Sequence, residues 1–287
     1  MKQLIPFTKM NGTGNDFIIL DHRDRRFEDR ILKKIAKSTC RRGLGLGADG
    51  LLLLEPSRTE VDFTMRIFNA DGSEGEMCGN GARCMARYAY VKGIGKEHMI
   101  FDTLAGHVEA KVQGREVSIK LNDPSVIEMK KNIDLELPMV WTYIELGNPG
   151  VPHAVVSFKG LQDTPLGELQ ALGRRLRYHE SFPKGANINF YEIFEDNSVL
   201  VRTYERGVED ITLACGTGSA SVAIALALEG KMKGASVQIL TMGGPLEINI
   251  GQMVPKVQNI YLTGETTFVA EGWICDEAVE EFEERRG

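Results

Sequence analysis

The sequence predicts an α/β fold of the α+β type, built as two pseudo-symmetric domains in which strands wrap around a central buried helix. Three observations predict it. The chain repeats itself once over most of its length; each copy carries a glycine-rich turn that feeds a nearly all-apolar helical run; and the segments leading into those turns alternate as strands do.

The repeat is anchored on two cysteines. Residues 69–93 read NADGSEGEMCGNGARCMARYAYVKG, and residues 205–230 read ERGVEDITLACGTGSASVAIALALEG. Cys78 matches Cys215 at an offset of 215 − 78 = 137, and the pairs Gly79/Gly216, Gly81/Gly218 and Gly93/Gly230 keep it. DFTMRIFN before the first turn matches SVLVRTYE before the second, and both predict alternating strands. Further out, Thr103–Gly106 matches Thr241–Gly244, Gly47–Asp49 matches Gly185–Asn187, and Gly14–Phe17 falls against Gly150–His153, all within a residue or two of the same offset. A solenoid would repeat every 20–50 residues or so, so these are two copies of one domain.

Within each copy the order is strand, helix, strands, glycine turn, buried helix and further strands. Asp29–Ser38 predicts a surface helix. Ala82–Val91 and Ser219–Leu228 are mostly small or apolar, which places them inside. The first domain is assigned residues 1–125 and carries Cys78; the second is assigned 138–274 and carries Cys215. The polar stretch Asn122–Leu137 is read as the junction between them. The acidic C-terminal residues 275–287 are expected to pack back on the first domain.

Composition limits the function classes. The chain has 287 residues, 26% charged and 43% hydrophobic, with a net charge of −6. No basic stripe marks a nucleic-acid surface. No stretch approaches the roughly 18 apolar residues of a membrane helix, and the N-terminal run lacks the apolar core of a secretion signal. A cytoplasmic protein without membrane or nucleic-acid partners is expected. Five cysteines, no CxxC pair and five scattered histidines argue against a disulfide framework and a zinc site.

Cys78 and Cys215 are the candidate catalytic pair. Each precedes Gly-X-Gly and a helix. The first helical turn presents unpaired N–H groups and partial positive charge, which attract a carboxylate and favour a thiolate. Inverting a carbon that bears hydrogen requires a base on one face and an acid on the other. Two matched thiols can exchange those roles, and the helix N–H groups can hold the developing negative charge. Cys40, Cys84 and Cys275 are read as plain buried residues.

Taken together, several motifs resemble the diaminopimelate epimerase family: Asn15-Asp16-Phe17, Gly45 to Gly50 (GLGADG), Phe68 to Glu74 (FNADGSE), Cys78-Gly79-Asn80-Gly81, Asn187-Ile188-Asn189-Phe190, Glu205-Arg206-Gly207 and Ala214 to Gly218 (ACGTG). They run through nearly the whole chain in the family's order. The resemblance implies interconversion of LL- and meso-2,6-diaminopimelate without pyridoxal phosphate or metal, in lysine and peptidoglycan precursor synthesis, with no cofactor, by a homodimer. It implies Cys78 and Cys215 as the acid/base pair, with the reacting carboxylate on the backbone of Gly79-Asn80 and Gly216-Thr217. Asn15, Asn69, Asn187, Glu205 and Arg206 are implied around the substrate's amino and carboxylate groups. Two departures stand out. Asn11 replaces a histidine common in the family, and the usual Gly-Asn-Pro-His is here GNPGVPH, Gly147 to His153. That segment offers either Asn148 or the backbone near Val151 for substrate, while His153 is read either as the family's histidine supporting a cysteine or as a structural one. Alternatives are a racemase of another amino acid, such as histidine, on the same scaffold; an isomerase of the phenazine-biosynthesis or proline-racemase type; and a non-catalytic ligand binder. The phenazine-type enzymes lack the cysteine pair, and the proline racemases carry different flanking motifs.

Overall fold

Two compact units make up the chain in the computed structural model, which describes residues 4–24, 27–57, 59–133, 139–275 and 277–279. The first unit takes Met1–Ile119 together with Gly264–Gly287, and the second takes Lys120–Thr263.

In the first unit, β1 (Ile5–Gly12) turns through Thr13-Gly14 into β2 (Asn15–Asp21), and α1 (Asp29–Thr39) follows. β3 (Gly50–Glu55) pairs in parallel with β2 and antiparallel with β4 (Phe63–Asn69), and the two-residue β5 (Glu74–Gly75) flanks β4. The turn then delivers α2 (Gly79–Val91). β6 (His98–Thr103) lies parallel to β4, and β7 (Gly106–Gln113) and β8 (Glu116–Leu121) continue antiparallel.

The second unit repeats this plan. β9 (Pro124–Ile133) pairs with β10 (Met139–Leu146), which turns into β11 (Val151–Ser157). α3 (Leu166–Arg177) matches α1. β12 (Asn187–Ile193) pairs in parallel with β11 and antiparallel with β13 (Val199–Glu205), beside β14 (Asp210–Thr212). α4 (Gly216–Leu228), β15 (Ser236–Thr241) and β16 (Gly244–Gln252) follow, with β15 parallel to β13 as β6 is to β4. The last strand, β17 (Gln258–Ile274), serves both units. Its residues 258–263 pair with β16, and Thr266–Ile274 run antiparallel along β1, from Gly12 back to Ile5. That half of β17 does for β1 what β9 does for β10.

Each buried helix is held by its own strands. α2 touches β1, β2, β3, β4 and β7, and α4 touches β10, β11, β12 and β16. A helix so enclosed must be small or apolar on every side, and α4 is: Ala220, Val222, Ala223 and Ile224 are completely buried. Both helices end at a glycine with φ +68, Gly93 and Gly230, a left-handed conformation that glycine adopts without a Cβ penalty. Outside the strands, α1 sets Leu32 and Ile35 against Leu51, Leu53 and Phe68, and α3 sets Leu169 and Leu176 against Phe190 and Tyr204.

Several expectations are corrected. Phe63–Phe68 is buried at every position rather than alternating, because β4 carries α1 on one side and α2 on the other. The stretch read as a junction holds β9, a ten-residue strand paired to β10; its mixed charge reflects a largely exposed face. Cys275, read as buried, is exposed, since it lies just beyond the end of β17. Cys40 and Cys84 are buried as read. Of the expected C-terminal packing, Val279 lies against the Ile274 and Leu32 cluster, while residues 280–287 fall outside the described residues. No described helix is long and apolar enough to cross a membrane.

Candidate active site

Both cysteines are N-cap residues of the enclosed helices, in nearly the same extended conformation: φ −135°, ψ 123° at Cys78 and φ −121°, ψ 111° at Cys215. The backbone carbonyl of each closes the first helical turn, accepting from Ala82 and Ser219 at 2.7 and 2.9 Å. The N–H groups of Gly79-Asn80 and of Gly216-Thr217 therefore occupy the first turn, where they have no intrahelical acceptor. Cys215 Sγ accepts from the Gly218 N–H at 3.4 Å and lies 3.6 Å from Thr217 Oγ1. The Gly218 N–H is a donor suited to a sulfur that bears negative charge, and in the second contact either the Thr217 hydroxyl or the Cys215 thiol can donate.

In the first unit the structure joins Asn15 and Asn80. Asn80 Nδ2 donates to Asn15 Oδ1 at 2.6 Å, and Asn15 Nδ2 donates to Asp49 Oδ2 at 2.9 Å. Asp49 also accepts from the Asp16 N–H and pairs with Arg42. The close approach of β1 to α2 depends on Gly12, where a Cβ would sit 2.8 Å from the Asn80 carbonyl oxygen and 2.9 Å from Cys84 Sγ. Asn69 ends β4 in an exposed position, its Nδ2 donating to Ser73 Oγ at 3.0 Å. It serves the turn that precedes Cys78 and lies outside the Asn15–Asn80 chain.

In the second unit the structure joins Asn187, Arg206 and the segment before His153. Asn187 Nδ2 donates to the Pro152 carbonyl at 3.0 Å, and its Oδ1 accepts the Arg206 backbone N–H at 2.8 Å. The Arg206 side chain is exposed, with Nη1 on the Lys184 carbonyl at 3.3 Å. Glu205, at the end of β13, has its carboxyl pushed up by burial. Asn148 is exposed in the turn between β10 and β11, where Gly147 takes φ +89 and the bond to Pro149 is cis. Val151, at the start of β11, is exposed as well.

His153 is fully buried. Its Nδ1 faces Asn189 Nδ2 at 3.2 Å, and Asn189 in turn donates to the Ala154 carbonyl and accepts from Thr203 Oγ1 at 3.0 Å. With Nδ1 accepting, the neutral ring carries its proton on Nε2, which has no partner among the described residues. Burial pulls its pKa down to about 3, helped by the charge of Arg206. His153 is thus neutral when folded. The proton bound on unfolding below about pH 6.5 has no native counterpart until near pH 3, so this residue's contribution to stability is complete above about pH 6.5 and is lost as pH falls toward 3. The first copy has Phe17 at the matching place (153 − 17 = 136). His153→Phe is expected to flatten the loss of stability on acidification, measured as urea midpoints from pH 7 to pH 4.

Sequence reasoning missed Asn189, Thr203, Asp49, Thr13 and Arg83. Asn189 and Thr203 support the first turn of α4: a Cβ on Gly218 would lie 2.3 Å from Asn189 Oδ1 and 3.1 Å from Thr203 Oγ1. The available signal was polar residues at the inward-facing positions of strands otherwise built for burial.

A family model described as diaminopimelate epimerase matches residues 7–127 and 146–269. The chain is 40% identical over 285 residues to the diaminopimelate epimerase of Aquifex aeolicus, covering 96% of this chain and 99% of that one. It is 38% identical over 288 residues to that of Archaeoglobus fulgidus, covering 93% and 95%. Among solved structures, a hydroxyproline epimerase from Agrobacterium vitis superposes with a TM-score of 0.70 at 16% identity, over 96% of this chain and 94% of that one. A phenazine biosynthesis protein of the PhzF family from Bacillus anthracis gives 0.72 at 16%, over 95% and 99%. Those two likenesses are of fold.

Proposed function

Because the chain belongs to the diaminopimelate epimerase family, we propose that it interconverts LL- and meso-2,6-diaminopimelate by proton transfer between two thiols, with no cofactor. One cysteine of the pair, as thiolate, removes the α-proton and becomes a thiol. The other, as thiol, delivers a proton to the opposite face of the same carbon and becomes a thiolate. The reverse reaction exchanges the roles. The α-carboxylate rests on the N–H groups of Gly79-Asn80 and Gly216-Thr217, whose fixed dipoles stabilise the charge that develops when the proton leaves. Asn15, Asn69, Asn148 or the backbone near Val151, Asn187 and Arg206 hold the remaining amino and carboxylate groups. Glu205 and His153 support the second half. A half-buried carboxyl such as Glu205 can receive an ammonium, and an exposed guanidinium such as Arg206 can take a distal carboxylate in bidentate fashion.

One observation carries this reading. Two copies of one domain each place a cysteine, in matching backbone conformation, at the N-cap of a buried helix. The test is incubation with LL-diaminopimelate in deuterium oxide. The expected result is meso product with deuterium at the inverted α-carbon; no exchange by the wild type would sink the mechanism. Exchange with another amino acid and none with diaminopimelate would move the substrate within the same chemistry. A homodimer in the cytoplasm completes the proposal, resting on the family resemblance; sedimentation at micromolar concentration checks the association.

A further inference from the structure

Arg83 is the largest completely buried side chain among the described residues. It lies on α2, one turn beyond Asn80. A buried cation normally faces a carboxylate, because an uncompensated charge in the interior costs several kcal/mol. No carboxylate pairs with Arg83 among the described residues. Its Nη2 donates to Thr13 Oγ1 at 2.7 Å and to Asn80 Oδ1 at 3.0 Å, while Nε and Nη1 are buried without a partner. Burial lowers its pKa to about 10, so it stays charged at neutral pH, and the groups whose negative charge it would feel are the thiols of Cys84 and Cys78. Burial pushes the Cys84 thiol up to about 12, which leaves Cys78.

The matching position of the second copy is Ala220 (220 − 83 = 137). There, the helix instead rests on His153, Asn189 and Thr203, where the first copy has Phe17, Leu52 and Ile67. The two half-sites match in backbone and differ in charge. One holds a fully buried cation above an apolar floor; the other rests on a neutral polar cluster, and its cation, Arg206, is exposed.

Arg83 also starts a hydrogen-bond chain that can run only one way. A guanidinium only donates and an ionised carboxylate only accepts. Arg83 therefore makes Asn80 Oδ1 an acceptor and turns Asn80 Nδ2 toward Asn15 Oδ1, and Asp49 takes the Asn15 Nδ2 donor at the far end. Both amides are oriented from both ends.

We propose that Arg83 is a positioning residue for the reaction: it fixes the amide orientations of Asn80 and Asn15, and its unpaired charge keeps the resting thiolate on Cys78 rather than on Cys215. The inference rests on the two-thiol reading above. Other charged groups around this half-site include Arg87 on α2, whose charge reaches Cys84, and Asp49 and Arg42 in the loop after α1, Asp16 on β2 and Lys9 on β1, of which the last four pair with one another.

The test is iodoacetamide alkylation followed peptide by peptide, alongside kcat and KM for LL-diaminopimelate, in wild type, Arg83→Met and Arg83→Lys. In Arg83→Met, alkylation of Cys78 at pH 7 is expected to slow about tenfold, one pKa unit's worth, and to recover at higher pH, while Cys215 keeps its rate and kcat falls. Arg83→Lys retains the charge but not the planar fork, so Cys78 alkylation should stay near wild type while KM rises. Wild-type reactivity and kcat in Arg83→Met would overturn the inference, as would equal slowing of both cysteines without recovery at high pH. Should Arg83→Met fail to fold, a tenfold slowing of Cys78 in folded Arg83→Lys would overturn it equally. A wild type inert toward diaminopimelate would count against the function, and the contrast between the two cysteines would still be readable.

Discussion

Cys78→Ala and Cys215→Ala are each expected to stop epimerisation, by about 10³-fold or more in kcat, near the upper range for removing a positioned acid or base. Both should fold, because the backbone rather than the side chain makes the first-turn bonds to Ala82 and Ser219. The helix N–H groups that would hold the substrate carboxylate remain, so affinity for diaminopimelate should change little. That combination separates a catalyst from a ligand-binding protein on the same fold, which would have no activity to lose. Serine at either position is expected to rescue little, since a hydroxyl does not ionise near neutral pH. Calorimetric affinity together with a stereospecific assay of product measures both halves of the expectation; either alanine variant epimerising at more than a few percent of wild type would defeat it.

Gly218→Ala is expected to be the second most damaging change, and Gly81→Ala is its control. The added Cβ at 218 would lie 2.3 Å from Asn189 Oδ1, 3.1 Å from Thr203 Oγ1 and 3.2 Å from Cys215 Sγ. None of these can retreat cheaply. Asn189 is tied to His153, Ala154 and Thr203, and Cys215 is the cap itself. The first turn of α4 must shift, at about 1–3 kcal/mol of overpacking, and a sulfur displaced by about 1 Å costs about 10²-fold in kcat. At Gly81 the same Cβ meets Leu52 at 3.3 Å and Phe17 at 3.5 Å, a tight but apolar contact, so stability should stay near wild type. Urea unfolding and kcat for the two variants test the contrast.

The part of the site made from backbone was legible in the sequence. A cysteine followed by Gly-X-Gly and an apolar run specifies a cap, a close approach and a buried helix, and its recurrence marked the second copy. Asn15 and Asn80, and Asn187 and Arg206, belonged to motifs, and the structure brings each pair together. Elements that depend on what lies opposite a strand were less legible. DFTMRIFN looked alternating because Arg66 and Asp62 supply polarity, yet Arg66 is drawn inward by Glu55 and Glu74 at 3.3 and 2.6 Å. Thr203, in SVLVRTYE, falls under the same alternating pattern. Arg83 was hidden inside a segment judged by its small residues, because periodicity reports which residues are buried and gives no account of a charge buried among them.

The double service of β17 bears on the order in which the chain can be completed as it is made. The second unit has all its residues once Thr263 has been synthesised. The first unit begins earlier, but β1 lacks one neighbour until Thr266–Ile274 arrive. Although domains made first generally fold first during synthesis, the N-terminal unit here is started first and finished last. Until then, the β1 edge from Ile5 to Gly12 is an open template for another strand. A chain cut short by its final two dozen residues would lose the first unit's last strand while leaving both cysteines in place.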